Sequence, residues 1–329
     1  MQIYQPGSKT RGKVAIIGAG PAGLQASVTL THLGYDVTIY EKQPQPGGWL
    51  RHGIPAFRLP QSVLDQEIAR IVEMGVNIKC NCEVGGSLSL AQLKAEYRAV
   101  LMTVGMSCGS GLPLFEQASH VEIAVDFLQR ARQADGDISV PRSALIIGGG
   151  DVAMDVASTL KILGCPSVTC VAREELAEFP ASEKEFTSTQ ALGVSIIDGF
   201  TPVAVSGNKV TFHHVRHSGE LTLEAENIIL AVGQHARLDT FAEIKAQHNI
   251  IDTHNYQTDD PAIFAAGDIV KGDKTVVYAV KTGKEAAQAI HHYLEEGLLM
   301  LTKDLSVTFC GVKFPNPFLS FFFSGRQLL

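Results

Sequence analysis

Cysteine is scarce in this sequence and stands at no spacing that builds a site. Six occur, Cys80, Cys82, Cys108, Cys165, Cys170 and Cys310. No two form a C-x-x-C pair, which disfavours a disulfide reductase working through a redox-active dithiol and leaves no zinc ligand set or disulfide framework. Cys80 and Cys82 flank Asn81 in a strand-like run, where both thiols would share one face. Positive charge is not in excess either. Lys and Arg number 27 against 34 Asp and Glu, a net charge of -7, which speaks against a nucleic-acid surface. No basic, apolar and small-residue leader opens the chain, so a cytoplasmic location is expected. The apolar stretch PFLSFFFS near the end is about half the length of a membrane span, so no membrane partner is expected. No Ser-His-Asp or paired-carboxylate arrangement stands out, and no catalytic side chain is assigned. Length and composition allow more than they exclude: 329 residues at 45% hydrophobic content suffice for two domains, each with its own core.

Glycine, by contrast, is placed with a pattern. GAGPAG spans Gly18, Ala19, Gly20, Pro21, Ala22 and Gly23, and GGGDVA spans Gly148, Gly149, Gly150, Asp151, Val152 and Ala153. Each follows an apolar, strand-like run, KVAIIG or SALIIG, and opens a helix-like segment that ends in Leu-Gly. The two stretches overlay almost without gaps, so one βαβ unit has been used twice. In the first, Gly18 allows the tight turn, Gly20 lets a diphosphate approach the backbone, and Gly23 lets helix and strand pack closely. The free amides at the helix start favour that anion. About 20 residues on, the next strand ends in Glu41, with Lys42 beside it, and a carboxylate there suits ribose hydroxyls.

Further along, DPAIFAAGDIV runs a strand into Gly267 and Asp268. In this the chain resembles flavoproteins of the two-dinucleotide-binding class, in which the aspartate of such a pair holds the ribityl chain of FAD. The helix-like segment that follows begins near Thr275, Val276 and Val277, whose backbone amides would face the flavin carbonyl edge. Two more strand ends, at Gly105 and Gly233, resemble crossings between an FAD domain and an inserted NAD domain. The expected fold is α/β with two Rossmann-like domains. The FAD domain would take residues 1–107 and 234–297, the NAD domain 108–233, and an atypical tail 298–329.

The second turn ends in Ala153, a variant the dinucleotide fingerprint allows. Its second strand ends in Arg173 and Glu174. The arginine would pair with the 2′-phosphate of NADP and the glutamate would repel it, so NAD is favoured with NADP open. With GGWLRHGIPAFRLP at Gly47 to Pro60, the chain resembles the flavoprotein family of the glutamate synthase small subunit and the amino-terminal part of dihydropyrimidine dehydrogenase. Within it the likeness is greatest to the flavin subunits of the bacterial NAD-dependent dihydropyrimidine dehydrogenases, from about Ile3 to Glu296. The resemblance implies Gly47, Gly48 and Arg58 as FAD contacts. It implies Gly149, Gly150, Asp151, Val152, Ala153, Arg173, Ala231, Val232 and Gly233 as nicotinamide-nucleotide contacts. It further implies hydride transfer from NADH to FAD, then electron passage through iron-sulfur clusters to a flavin-mononucleotide partner subunit that reduces uracil or thymine to the 5,6-dihydro form.

The departures are equally specific. The family carries iron-sulfur ligands in a cysteine-rich segment ahead of this region, and those ligands are not in this sequence. After Glu296 the run MLTKDLSVTFCGVKFPNPF resembles the start of the pyrimidine-reducing partner, as at a junction between neighbouring coding regions, and a poorly ordered tail is expected. Three alternative functions stay open for the chain: a glutamate-synthase-type small subunit, a ferredoxin reductase of the same fold, and a non-catalytic FAD-binding assembly module. His213, His214 and His217 read as a solvated hairpin around Ser218 and Gly219, with only His213 and His217 on one face. Asp135, Gly136 and Asp137 read as a turn.

Overall fold

The computed structural model describes residues 6–304, 308–309 and 312–313. In chain order it begins with β1 (Lys13–Ile17), α1 (Pro21–His32), β2 (Asp36–Tyr40), α2 (Gln61–Glu73), β3 (Asn77–Lys79) and β4 (Ala99–Met102). A second unit follows as β5 (Val121–Ile123), α3 (Ala124–Gln133), β6 (Ser143–Ile147), α4 (Asp151–Ile162), β7 (Ser167–Val171), α5 (Glu183–Ala191) and β8 (Ser195–Ile197). Three further strands, β9 (Phe200–Ser206), β10 (Lys209–His214) and β11 (Glu220–Glu224), precede β12 (Asn227–Leu230), β13 (Ile263–Ala265) and the long α6 (Val276–Asp304).

The duplicated motif becomes a duplicated sheet. The first runs β13-β4-β1-β2-β3 and the second β5-β12-β6-β7-β8, every neighbour parallel. In both, the strand leading into the glycine turn is central and the strand after the helix lies next to it. Such strands are buried on both faces, which is why they read as unbroken apolar runs. Val14 and Ile16 point to one core of the first sheet, Ala15 and Ile17 to the other. Ala144 and Ile146 oppose Leu145 and Ile147 in the same way in the second.

Helix α1 carries little amphipathic contrast because it is enclosed on several sides, with Ala22, Leu24, Ala26, Val28 and Leu30 all buried. One neighbour is α6, which approaches so closely that a Cβ on Gly283 would lie 2.2 Å from the Ala22 carbonyl oxygen. The antiparallel β9, β10 and β11 cover the second sheet, burying Val210 and Phe212. The chain passes between the two sheets twice, and the two passages are hydrogen-bonded to each other: Cys108 pairs with His235, and Gly109 with Gln234.

Helix α6 runs to Asp304, eight residues past the Glu296 at which the resemblance ends it. The reason is local: Leu298, Leu299, Met300 and Leu301 are good helix formers and no proline intervenes. Two short antiparallel strands, Thr308–Phe309 and Val312–Lys313, follow. The rest of the expected disordered tail, with Cys310, lies outside the described residues.

The closeness of α1 and α6 gives a test. Gly283→Val is expected to cost about 1–3 kcal/mol through overpacking, read as a lowered midpoint in thermal unfolding, while Ala at the exposed neighbouring position Lys281 leaves it unchanged.

Candidate functional site

At the end of β1 the backbone turns at Gly18 with φ +102°, pressed against the next strand end: a Cβ there would stand 2.5 Å from the Thr103 carbonyl oxygen. Thr103 holds the turn from the side, its hydroxyl donating to the carbonyls of Ile17 (3.0 Å) and Gly18 (2.9 Å). Gly23 is equally confined, 2.1 Å from the Gly18 oxygen by the same measure, whereas a Cβ on Gly20 would meet nothing within 4 Å. Gly20 therefore faces open space and Gly23 faces the sheet. Helix α1 starts with Pro21 and no side-chain cap, so its first amides are free for an anion. Ala22, in the first turn of α1, is buried, and a Cβ on Gly267 would stand 3.0 Å from its own.

Glu41 is buried and already oriented. Its Oε2 accepts from the Ala19 amide and its Oε1 from the Gln43 amide, both at 2.8 Å. A carboxylate has further lone pairs, and it lines a cleft with Gly18, Lys42, Val104 and Arg237. Lys42 is exposed and donates to the Ser107 hydroxyl.

Two other segments close on this turn. The Gly47 amide donates to the Ala19 carbonyl at 2.9 Å, and Gly48, at φ +53°, lies so near Gly20 that its Cβ would be 2.7 Å from the Gly20 Cα. From the other side, the Gly267 amide donates to the Thr282 hydroxyl, and Asp268 presents a buried Oδ1 with no partner. Burial pushes the Asp268 carboxyl above its ordinary range, with Lys274 opposing the shift. Thr275 caps α6 by accepting from the Tyr278 amide at 3.2 Å; Val276 is half-buried and Val277 is 80% exposed. An orphaned acceptor beside an open glycine at an uncapped helix start fits a dinucleotide carrying a polyol chain, as FAD does.

The second turn repeats the backbone but not the surroundings. Gly148, at φ +135°, is pressed against the Ala231 carbonyl, and Gly150 faces open space ahead of the uncapped α4. The buried Cys170 thiol donates to the Gly148 carbonyl at 3.0 Å, and burial pushes its pKa up to about 12, which makes it structural. In front of this turn opens a cavity of about 570 Å³, lined by Gly149, Gly150, Asp151, Val152, Arg173, Glu174, Ala231, Val232 and Gly233. Ala153 is not in it, being fully buried as a packing residue where the first unit has Gly23. Asp151 uses its carboxylate to accept from the Ser182 amide. Arg173 is mostly exposed and, among the described residues, pairs with its neighbour Glu174, at 3.1 Å.

The cavity also holds residues that sequence reasoning passed over. Gln234, next to the Gly233 strand end, carries a buried Nε2 with no partner. Lys274 reaches the cavity from the Asp268 segment, its ammonium donating to the carbonyls of Asp268 (2.7 Å) and Val270 (2.6 Å). Neither gave a signal, since only the pairing of the two passages brings Gln234 here.

Arg58 lines a pocket with Pro21 and Leu24 of α1 and Val276 of α6, and its guanidinium ion-pairs with Asp155 on α4 and Glu185 on α5. Two expectations are corrected. His217 lies in the loop between β10 and β11, beyond the alternation of the strand. It is therefore His214 and His217, with ring centroids 4.7 Å apart, that meet near Glu175, while His213 pairs with Glu220. His214 Nδ1 accepts from the Arg216 and His217 amides, which places any proton on the other nitrogen, and Arg216 already neutralises Glu175. Cys80 and Cys82 lie after β3 in a bend with Asn81 at φ +53°, so strand alternation does not apply to them. Asp135 and Gly136 form the expected turn, both at positive φ.

The glycines separate by role. Gly20→Ala is expected to leave stability within about 0.5 kcal/mol, as for an open surface change, yet to cut retained FAD, measured by absorbance of the purified protein. Gly23→Ala is expected to lower the thermal midpoint as well, since the added carbon has nowhere to go.

Comparison with known proteins agrees with this geometry. Residues 12–283 match the family described as pyridine nucleotide-disulphide oxidoreductase. The chain is 99% identical over 296 residues to an NAD-dependent dihydropyrimidine dehydrogenase subunit PreT homolog of Salmonella typhi, covering 90% of this chain and 72% of that one. It is 33% identical to the glutamate synthase [NADPH] small chain of Escherichia coli K12, over 87% of this chain and 70% of that one. Among solved structures, the fold resembles FprA from Mycobacterium tuberculosis at TM-score 0.74 and 16% identity, covering 88% and 86% of the two chains. With two glycine turns in two like sheets and no C-x-x-C, the chain belongs to the pyridine nucleotide-disulphide oxidoreductase family, in its two-dinucleotide, glutamate-synthase-small-subunit-like branch.

Proposed function

We propose that this chain is an electron-entry flavoprotein, taking reducing equivalents from NADH onto FAD and delivering them toward a partner subunit that reduces uracil or thymine to the 5,6-dihydro form. The observation that carries the reading is the unequal pair of turns. One is completed by Glu41 and the unpartnered Asp268 Oδ1 for a resident cofactor, and the other fronts an open cavity for an exchanging one. The 99% identity to a dihydropyrimidine dehydrogenase subunit favours this reading over the glutamate-synthase type, at 33%.

Bound FAD supplies a two-electron acceptor that releases electrons singly. The protein's part is placement. The α1 amides and Gly20 receive one diphosphate, Glu41 accepts from a ribose, and Asp268 Oδ1 accepts from the ribityl chain. The amides at Thr275, Val276 and Val277 put the positive end of α6 where negative charge develops. The α4 amides and Gly150 receive the diphosphate of the nicotinamide nucleotide, and Gln234 has a free donor beside it. Glu174 at the rim repels a 2′-phosphate that Arg173 alone would attract, which selects NADH. The FAD domain is then residues 1–107 and 234–297 and the NAD domain 108–233, a division supported by the paired passages at Cys108–Gly109 and Gln234–His235. Iron-sulfur clusters, if they take part, are held by ligands other than Cys165 and Cys170, which are buried in the second unit's packing.

Anaerobic titration of the flavin absorbance tests the assignment: NADH bleaches it at lower concentration than NADPH, and a large NADPH preference overturns the reading. Glu174→Ala is expected to narrow that preference on the order of tenfold, about 1.4 kcal/mol. With artificial acceptors the chain acts as a diaphorase, and uracil turnover with NADH by the chain alone is expected to be negligible.

A further inference from the structure

Lys274 belongs to the first unit, in the loop between Asp268 and α6, yet it lines the cavity in front of the second glycine turn. Two of the three N–H groups of its ammonium root it in the first site, donating to the carbonyls of Asp268 and Val270. The loop is closed at both ends. The Gly267 amide donates to the Thr282 hydroxyl and the Tyr278 hydroxyl to the Lys271 carbonyl. Between them Gly272, at φ +138°, lies against Tyr278, whose phenolic oxygen would be 2.1 Å from a Cβ there. Residues 267–275 are thus one folded block, and a pull on Lys274 is felt at Asp268.

Lys274 also differs from the other charged groups of that cavity. Arg173 is answered by Glu174 and Asp151 by the Ser182 amide, whereas Lys274, among the described residues, is in ion-pair contact with no carboxylate. Burial lowers its pKa from the ordinary lysine range, with Asp268 and Asp273 opposing the fall. A third N–H is left for an acceptor in the cavity. In the same lining Gln234 holds its Nε2 buried and without a partner, a second donor that calls for an acceptor from outside the chain. Arg173 and Glu174, at the end of β7, lie where an adenosine ribose is received. Lys274 and Gln234 come instead from the first unit and from the passage that leads to it.

With FAD at the first turn and a nicotinamide nucleotide at the second, as read above, we propose that Lys274 is a positioning residue that couples the two sites. Its free N–H donates to a diphosphate oxygen of the nicotinamide nucleotide, beside Gln234 Nε2 on the ribose beyond, while its other two hold the Asp268 block closed on the FAD. The nucleotide offsets the cost of an ammonium held partly out of water without a counter-charge. The closed block keeps Asp268 Oδ1 on the ribityl chain. By linkage, a nucleotide that binds better with FAD in place must hold the FAD better in turn.

The test uses the full, FAD-loaded chain with NAD+, ADP-ribose and AMP as probes that leave the flavin oxidised. The readouts are the rate of FAD release on dilution, followed by flavin fluorescence, and NAD+ affinity by calorimetry. In the unaltered chain saturating NAD+ or ADP-ribose is expected to slow FAD release about fivefold or more, and AMP, which lacks the second phosphate, to leave it unchanged. Lys274→Met is expected to weaken NAD+ on the order of tenfold and to erase its effect on FAD release, and Lys274→Arg to restore both. Gln234→Leu is expected to weaken NAD+ but to keep the effect once the cavity is filled, since Lys274 still holds the Asp268 and Val270 carbonyls. FAD release indifferent to NAD+ in the unaltered chain, or equally slowed in Lys274→Met, overturns the coupling. So does equal slowing by AMP, which would place the effect at the adenosine half. The comparison of ADP-ribose with AMP needs no variant, so it decides the matter even if Lys274→Met loses its FAD outright. If NAD+ does not bind the FAD-loaded chain at all, the reading of the second turn fails and the coupling falls with it.

Discussion

At the end of each central strand the chain must pass from a parallel strand into a helix that returns across the sheet, and it makes the turn against the carbonyl of the neighbouring strand. Thr103 stands beside Gly18 and Ala231 beside Gly148, each too close for any side chain. That confinement aims the first helical amides out of the sheet at its carboxyl end, where a diphosphate is received. Everything else at the two sites is arranged around those backbone donors. The strand order that sets Thr103 and Ala231 in place is the same in both sheets.

From a shared backbone the units diverge by what surrounds it. The first turn is enclosed by Gly47 and Gly48, by the buried Glu41 and by the Asp268 segment, which suits a cofactor that stays. The second is left open in front, and Arg173 and Glu174 at its rim are near solvent, which suits one that comes and goes. Lys274 belongs to both, rooted in carbonyls of the Asp268 segment and lining the second cavity. The two sites are thus not joined by the passages alone.

Segment 47–60 is a further connection, running from the first glycine turn, where the Gly47 amide meets the Ala19 carbonyl, to the carboxylates of α4 and α5 that Arg58 pairs with. The buried Asp155 is a hydrophilic residue in the enclosed face of α4, unremarked in the sequence because DVAMDVAS reads simply as a helix.

The sequence by itself determined the two units, their glycine turns, their buried parallel strands and the acid at the end of β2. Those features are local: glycine at positive φ, period-two or unbroken apolar runs, and a fixed spacing along one βαβ unit. Only the tertiary structure decided which side chains meet across units. Arg58 with Asp155 and Glu185, Thr103 over the first turn, Gln234 in the second cavity, and His214 with His217 depend on contacts between distant segments or on a loop that leaves strand geometry. The physical reason is the range of the forces. Backbone conformation and periodicity are written in neighbouring residues, whereas the partner of a charged or polar side chain is fixed by how the packed cores bring the sheets together.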